Sequence, residues 1–439
     1  MKRKAHVSRR DFMRGAAMAG AAFGGLTILG ATARGQAKVL KAGLVGCGSR
    51  GRGAMMNHLE AAGKAGIKVQ ITALADAYMH PLSIPAAVKL LKEKAGQEVP
   101  ESHQFVGFDA YKKLIGSGVD IVLLATPPVF RPVQFAAAVA AGKHVFMEKP
   151  VAVDPVGCQA VIAAGEAATE KKLSVVAGTQ RRHDFRYLQT YELVKGGAIG
   201  PIRGGAVWWC GTQLWSKPRE QAWGPREYMV KNWINFVEMS GDHIVEQHVH
   251  NIDVANWFLG TPPWLAVGFG GRMRRKTGNQ FDFFSVDYQY KIGPDGKQRC
   301  HIHSMSRQIN GCWGREAEEL IGEEGYASGT RIRRYDKKKP EKPDIQGDRN
   351  PYVQEHIDLL KSIVGQAEPL NETAHVVEAT LTGIMGRISA YTGEAVRYSD
   401  IAEPGGRFGK FAYKPGPLDF EAGEVEVPEE GVAPIPGSD

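Results

Sequence analysis

Residues 38–53 read Lys-Val-Leu-Lys-Ala-Gly-Leu-Val-Gly-Cys-Gly-Ser-Arg-Gly-Arg-Gly, and this stretch decides the fold around it. The apolar run 39–45 predicts a buried strand, and the unbroken helix formers at 54–62 predict a helix. Between them stands Gly46-x-Gly48-x-x-Gly51. Glycines at this spacing allow a tight turn that presents backbone amides and a helix N-terminus to a pyrophosphate. The stretch therefore predicts a dinucleotide site.

In a chain with 53 glycines, the same spacing also arises in ordinary turns, so the residues downstream decide the interpretation. A second apolar run, 69–75, ends in Asp76. An acidic side chain at the end of the second strand accepts hydrogen bonds from both ribose hydroxyls of the adenosine. It also repels a 2′-phosphate, which favours NAD over NADP. Arg50 and Arg52 weaken that preference, because guanidinium groups pair with phosphates.

Length and charge limit the class of protein. At 439 residues the chain is long enough for two domains, and its composition is typical of a soluble globular protein. The net charge of +8 is concentrated in residues 1–33, which hold six Lys or Arg and one Asp. The rest of the chain therefore carries +3 and gives no electrostatic case for a nucleic-acid partner.

Residues 1–33 predict a targeting signal. The segment places Arg9-Arg10 before Phe12, continues through an uncharged run at 15–33, and offers Ala31-Thr32-Ala33 for cleavage. It resembles a twin-arginine export signal, which predicts a periplasmic or exported protein with no stable membrane span after cleavage. A membrane anchor is the alternative, although alanine and glycine make this run a poor hydrocarbon solute. Five cysteines without CxxC spacing fit a chain that folds before export.

Strands and helices alternate over 37–180, which predicts a doubly wound parallel sheet in an α/β fold. Over 181–400 the pattern predicts a second α/β domain with a mostly antiparallel sheet, against which helices within 351–391 pack back. Residues 401–439, rich in proline, glycine and acid, predict an extended tail over the surface or a neighbouring subunit. The 210–232 loop contains two tryptophans, Trp215 and Trp223. They either pack in the hydrophobic core or stack on a sugar ring.

Two predicted strand ends carry chemistry. Thr126-Pro127 follows the fourth strand, and Glu148-Lys149-Pro150 follows the fifth. Prolines end the hydrogen-bonded ladder there, so these residues face the ligand cleft. A lysine beside a positively charged nicotinamide has a depressed pKa and acts on a substrate hydroxyl. The alternative is a solvated lysine in a turn.

A polar stripe is predicted on a helix across 240–258. Glu246, His250 and Asp253 are spaced i, i+4 and i+7, so they share one helix face. Such a stripe is usually the solvated face of an amphipathic helix. A metal site is disfavoured, because no compact H-E-x-x-H arrangement is present. The preferred functional interpretation is a general acid/base histidine oriented by a neighbouring carboxylate.

Taken in order, these motifs resemble the Gfo/Idh/MocA oxidoreductases. The resemblance implies a Rossmann domain binding NAD, with NADP as the alternative, and a second domain whose open sheet mediates a homodimer or homotetramer. It implies catalytic roles for Lys149 and His250, with Glu246 as a third candidate where the family has aspartate. It implies substrate contacts from Arg182, His183 and Asp253, and no metal ligands. The implied cofactor-binding residues are Gly46, Gly48, Ser49, Arg50, Gly51, Asp76, Thr126, Pro127, Glu148 and Lys149.

The resemblance implies an oxidoreductase that takes hydride from a sugar, glycoside or polyol hydroxyl. The export signal predicts in addition that the protein is exported and keeps its cofactor tightly bound. Two alternatives stay open. One is a redox-neutral glycosidase that uses bound NAD through a 3-keto intermediate. The other is a non-catalytic periplasmic sugar- or nucleotide-binding protein, since a fold alone does not fix a function.

Overall fold

The structure is a computed structural model that describes residues 39–293 and 295–436. The twin-arginine and cleavage motifs of residues 1–33 lie outside these described residues. The described chain holds a six-stranded sheet and an eight-stranded sheet. The prediction of an α/β fold with a Rossmann domain and a second, sheet-containing domain is confirmed. None of the helices in the described ranges combines the length and apolar character needed to cross a membrane.

The first sheet is parallel throughout, in the order β3-β2-β1-β4-β5-β6. From β1 the chain adds β2 and β3 on one side of the sheet, and then β4, β5 and β6 on the other side. Ligands of doubly wound folds bind beyond the strand ends at this change of side, between β1 and β4. Its strands are β1 (Leu40–Val45), β2 (Val69–Asp76), β3 (Gln104–Val106), β4 (Ile121–Leu124), β5 (His144–Met147) and β6 (Val175–Ala177).

Helices cover both faces of this sheet. The first begins at Ser49, directly after Gly48, so the third glycine of the motif lies inside its first turn. That start is earlier than the sequence suggests, because two glycines within the turn weaken the helical signal. The helices are α1 (Ser49–Ala65), α2 (Ile84–Ala95), α3 (Ala110–Gly116), α4 (Arg131–Ala140) and α5 (Pro155–Glu170).

The second sheet runs in the order β13-β12-β11-β7-β10-β9-β8-β14. Neighbouring strands are antiparallel except β7 and β10, which pair in parallel, so the sheet is mixed. Its strands are β7 (Ile202–Gly211), β8 (Leu265–Gly271), β9 (Phe283–Ile292), β10 (Gln298–Gln308), β11 (Arg315–Gly322), β12 (Gly325–Ser328), β13 (Arg331–Arg334) and β14 (Val396–Arg397).

Two long helices of the later chain join the domains. Helix α11 packs against α1 of the Rossmann domain, and α12 packs against both α5 and β8. The helices from residue 181 onward are α6 (Phe185–Lys195), α7 (Pro225–Lys231), α8 (Val237–Ser240), α9 (His243–Glu246), α10 (Val249–Leu259), α11 (Pro351–Ile363), α12 (Thr373–Thr392), α13 (Tyr398–Ala402) and α14 (Pro417–Ala422).

The C-terminal segment corrects one expectation. Residues 401–436 are not simply extended, because they include helix α14 and bury Phe408, Tyr413 and Phe420 within the same chain. Phe420 is fully buried. A few large apolar side chains anchor this stretch even though its overall composition is rich in proline, glycine and acid.

Candidate active site

Each of the three glycines in the turn after β1 is required for a different reason. Gly46 adopts φ +91°, and a Cβ there would lie 2.8 Å from the backbone of Ala125 and Thr126. A Cβ on Gly51 would lie 1.9 Å from the carbonyl oxygen of Gly46, so helix and turn need this glycine to approach each other. A Cβ on Gly48 would meet no atom within 4 Å. The open space beside Gly48, at the N-terminus of α1, fits a pyrophosphate.

A cavity of about 360 Å³ opens in front of this turn, beyond the ends of β1, β2 and β4. Six of the predicted cofactor-binding residues line it, namely Gly46, Gly48, Ser49, Asp76, Thr126 and Pro127. Trp215, from the second domain, also lines this cavity, whereas Trp223 is buried. The loop tryptophan that sequence reasoning assigned either to the core or to a sugar ring therefore faces the nucleotide cavity.

Asp76 and Arg52 brace the turn as well as facing the cavity. The Asp76 carboxylate accepts a hydrogen bond from the Cys47 amide at 2.8 Å, and burial raises the pKa of that carboxyl. Arg52 donates to the carbonyl oxygens of Cys47, at 2.9 Å, and of Leu82. Arg50 pairs with Glu148 at 2.8 Å. Both arginines considered for a 2′-phosphate thus bind groups of the protein.

A buried arginine that sequence reasoning did not assign holds the two strand ends together. Arg131 is 1% exposed and donates hydrogen bonds to the carbonyl oxygens of Pro150, at 2.6 Å, and Thr126. Burial lowers the pKa of Arg131 to about 10, so it stays charged at neutral pH. The sequence shows that Arg131 follows a Thr-Pro turn, but it does not show that its partners, which follow two different strands, meet there.

Lys149 reaches from the end of β5 to the second domain. Its Nζ donates to the Glu246 carbonyl oxygen at 2.5 Å and lies 3.1 Å from Glu246 Oε1. The two side chains are only 11% and 7% exposed, so Lys149 is not a solvated turn lysine. The pair is a largely buried contact between the two domains, in which a carboxylate holds the lysine side chain.

The single helix predicted across 240–258 is wrong. Helix α9 ends at Glu246, and α10 begins only at Val249. The buried His248 side chain lies in the break and forms a hydrogen bond with Ser304 of β10, Nε2 to Oγ 2.8 Å. Glu246 and His250 therefore do not share a helix face, and Glu246 binds Lys149 rather than orienting the histidine. The stripe is not solvated either, because Glu246, His250 and Asp253 are all buried.

His250 is a buried, neutral imidazole. Its ring stacks on the Trp209 indole, with centroids 5.8 Å apart and the ring planes inclined by 25°. Burial, and then the positive charges of Lys149 and Arg181, hold the pKa of His250 well below its usual value of 6.5. At neutral pH the ring is therefore unprotonated and able to accept a proton. This is the charge state that a general base needs.

Arg182 and His183 lie in the 3-10 turn Gln180–His183. Arg182 forms a two-pronged pair with Asp253 of α10, Nε to Oδ2 2.9 Å and Nη2 to Oδ1 2.8 Å. His183 contacts Asp358 at 2.7 Å and Glu372 at 3.1 Å. Burial alone would lower the pKa of His183, but these carboxylates raise it well above 6.5. These pairs tie the turn to α10, α11 and the start of α12, and substrate contact by these residues stays a prediction.

We expect Arg182→Ala to lower the free energy of unfolding by about 3–5 kcal/mol, because the buried Asp253 carboxylate loses its charged partner. Arg203→Ala is the matched control, since Arg203 and Glu323 are 53% and 48% exposed. Its loss should stay below about 1 kcal/mol. Chemical denaturation of both variants measures the difference, and equal losses would show that burial does not set the strength of the Arg182 pair.

Among the residues that the structure describes, no group of three or more His, Cys, Asp or Glu side chains is arranged to hold a metal ion. The structure brings Lys149 and Glu246 into contact, and the positive charge of Lys149 acts on His250. Such a set can hold a hydroxyl group and remove its proton.

Residues 40–177 match the Gfo/Idh/MocA family, described as an oxidoreductase family with an NAD-binding Rossmann fold. Escherichia coli 2,7-anhydro-N-acetylneuraminate hydratase is 25% identical over 45% of this chain and 50% of its own length. An inositol 2-dehydrogenase of Pseudomonas savastanoi is 30% identical over 37% of this chain and 43% of its own. The chain thus spans about half the length of the curated relatives that it matches.

Solved structures share the fold over a longer stretch. Aldose-aldose oxidoreductase from Caulobacter crescentus, complexed with glycerol, covers 82% of this chain and 100% of its own, with a TM-score of 0.62 at 19% identity. The WlbA dehydrogenase from Bordetella pertussis, in complex with NADH and UDP-GlcNAcA, covers 82% and 99%, with a TM-score of 0.61 at 18% identity. The glycine turn, the cavity and the family match agree on one segment: residues 40–177 form a Rossmann domain that is similar to the NAD-binding domain of the Gfo/Idh/MocA oxidoreductase family.

Proposed function

We propose that the protein is an exported, NAD-dependent oxidoreductase that oxidises a CH–OH group of a sugar, glycoside or polyol. The observation that carries the proposal is Lys149, held 3.1 Å from Glu246 across the cleft, with its charge acting on the buried, neutral His250. The inositol 2-dehydrogenases among the relatives, and the WlbA dehydrogenase bound to NADH and a sugar nucleotide, support a hydroxylated substrate.

His250, Lys149 and Glu246 each have a different role in the proposed reaction. His250 takes the proton of the substrate hydroxyl on a ring nitrogen. Lys149 stabilises the negative charge that develops on the oxygen, and Glu246 keeps the ammonium group in place. When bound at the glycine turn, NAD supplies the hydride acceptor, so the substrate carbon becomes a carbonyl. Gly46, Gly48, Ser49, Asp76, Thr126 and Pro127 would hold it, because they line the cavity.

The export motif of residues 1–33 supports a cofactor that is retained rather than exchanged. Free NAD is scarce outside the cytoplasm, so the nucleotide has to stay bound for hours. With an association rate constant of about 10⁶ M⁻¹s⁻¹, a dissociation rate of about 10⁻⁴ s⁻¹ corresponds to a Kd of roughly 10⁻¹⁰ M. That is about −14 kcal/mol of binding free energy. A retained cofactor must be regenerated in place, by reduction of a second substrate.

The proposal includes a homodimer or homotetramer. The second domain leaves large apolar side chains at its surface, with Phe269 71% and Trp313 59% exposed. Exposed apolar surface of this kind supports association. Light scattering on the purified protein measures the molar mass, and a monomer at micromolar concentration would contradict this part of the proposal.

The test begins with the nucleotide that co-purifies with the mature protein, identified by mass and absorbance. The protein is then mixed with a panel of polyols, aldoses and glycosides while NADH absorbance is followed. We expect bound NAD that becomes reduced by a polyol or sugar. Sugar binding without any change in the bound nucleotide would identify a binding protein instead. Release of free sugar from a glycoside without net NADH would identify a redox-neutral glycosidase.

We expect the acid limb of the pH dependence of kcat/KM to lie below pH 6.5. Burial and the charges of Lys149 and Arg181 hold the pKa of His250 well below that value. The ring therefore remains unprotonated, and able to accept a proton, as the pH falls through 6.5. Steady-state rates measured between about pH 4 and pH 9 locate the limb. A limb at or above pH 6.5 would contradict the assignment of His250 as the base.

A further inference from the structure

The nucleotide cavity is closed on one side by a segment that sequence reasoning did not connect with it. Trp215, Lys217 and Trp233 of the second domain line the same cavity as Asp76 and the glycine turn. They belong to residues 213–235, which we call the cap. Because Asp76 ends β2, where the adenosine ribose binds in this type of fold, the cap lies over the adenosine end of the site.

The cap is a fixed structure, held by two fully buried asparagines. Asn232 accepts a hydrogen bond from the Lys217 amide at 2.7 Å and donates to the Lys217 carbonyl oxygen at 3.1 Å. Asn235 donates to the Trp215 carbonyl oxygen at 3.0 Å. Both cavity-lining positions of the loop are thereby tied to the end of α7 and the turn that follows it.

The C-terminal segment fastens this cap from outside. Arg226 of α7 donates to the Phe420 carbonyl oxygen at 3.1 Å. Tyr228 of α7 donates to Glu430 at 2.7 Å, and the second oxygen of Glu430 accepts a hydrogen bond from the Gly278 amide at 2.9 Å. Residues 417–431, which we call the strap, therefore hold α7 at two points.

The strap also supports the opposite wall of the cavity. The Phe420 ring lies 5.4 Å from that of Phe108 and 5.1 Å from that of Phe130, centroid to centroid. Tyr111 donates to Glu421 of the strap at 2.9 Å. Phe108, Phe130 and Tyr111 all line the cavity. One short segment thus binds both the Rossmann wall of the site and the cap that closes it.

We propose that the strap locks the cap over the adenosine end of the bound nucleotide and so sets its rate of release. This inference rests on the proposed function, because a retained cofactor is what such a lock would serve. In the closed arrangement, the nucleotide leaves only after α7 separates from the strap or Phe420 leaves its pocket. Contacts that must break before the nucleotide can leave lower its dissociation rate.

The experiment measures release directly, without turnover. Full-length protein loaded with NADH is mixed with excess NAD, and the loss of bound-NADH fluorescence gives the dissociation rate. We expect Phe420→Ala to raise this rate about 10-fold or more, and Tyr228→Phe, which removes one hydrogen bond, to raise it a few-fold. Leu418→Ala is the matched control, since Leu418 lies in the same helix α14 and is 65% exposed.

The possible results distinguish failure of the proposal that the strap locks the cap, called the lock below, from failure of the proposed function. A folded Phe420→Ala protein that releases NADH at the parent rate, or Leu418→Ala protein that releases it equally fast, would overturn the lock. If Phe420→Ala does not fold, Tyr228→Phe decides by the same measurement. Parent protein that loses NADH within seconds, yet oxidises polyols with added NAD, would overturn the lock alone. Slow, strap-dependent release without oxidation of any sugar would keep the lock and remove the proposed function.

Discussion

Replacing His250 by alanine is expected to slow oxidation of the bound substrate by about 10³-fold, the usual contribution of a general base. The ring is buried against Trp209 and unprotonated at neutral pH. It is therefore the group that can take the hydroxyl proton, while Lys149 is already paired with Glu246. Nucleotide binding should be unchanged, because the cavity at the glycine turn is lined by other residues.

Single-turnover reduction of bound NAD measures this effect apart from product release. His303→Ala is the control, because His303 is an exposed histidine of β10. The acid limb of the pH profile should also disappear in the His250 variant, since the titrating base is gone. A His250→Ala protein that keeps the parent single-turnover rate would show that the proton leaves by another route, with Lys149 as the next candidate.

The nucleotide half of the site could be predicted from the sequence because its chemistry is local. A phosphate cradle needs glycines at fixed offsets between a strand and a helix, and those offsets stand in consecutive residues. Asp76 is identifiable for the same reason, since it ends the second apolar run. The structure brings Gly46, Gly48 and Asp76 to one cavity. Lys149 could also be singled out locally, as the residue before the proline that follows β5.

The partners across the cleft could not be predicted in this way. Helical periodicity places Glu246 and His250 together, but His248 reaches a serine on β10 that is 56 residues away and the helix breaks there. Glu246 is then free to bind Lys149, 97 residues earlier in the chain. Pattern analysis detects spacing along one element and contains no information on which distant side chain competes for a polar group.

The C-terminal segment shows how average composition misleads. Its proline, glycine and acidic residues predict an extended chain, yet Phe420 alone reaches a site between Phe108 and Phe130 and is fully buried. One aromatic side chain contributes a large apolar area. A few such anchors hardly change the composition of a 39-residue stretch, although they hold that stretch against the rest of the chain.

Replacing Gly51 by alanine is expected to weaken NAD binding by about 10²-fold or more and to lower the free energy of unfolding by about 1–3 kcal/mol. The added Cβ would lie 1.9 Å from the Gly46 carbonyl oxygen, so the turn must shift away from α1. The amides at the start of α1 would then no longer meet the phosphates. Gly63→Ala in the same helix is the control, because its Cβ would meet nothing within 4 Å.

A third variant distinguishes an effect on phosphate binding from an effect on the packing of α1 against the turn. A Cβ on Gly48 would also meet no protein atom within 4 Å, but Gly48 lines the cavity. Gly48→Ala should therefore weaken NAD binding while leaving the fold as stable as the parent. Gly63→Ala should leave NAD binding unchanged and raise stability by up to about 1 kcal/mol, the helix preference of alanine over glycine. Titration of nucleotide-free protein and chemical denaturation give both quantities. Parent-like binding by Gly48→Ala would mean that the pyrophosphate does not lie over this turn, whatever Gly51→Ala does to the fold.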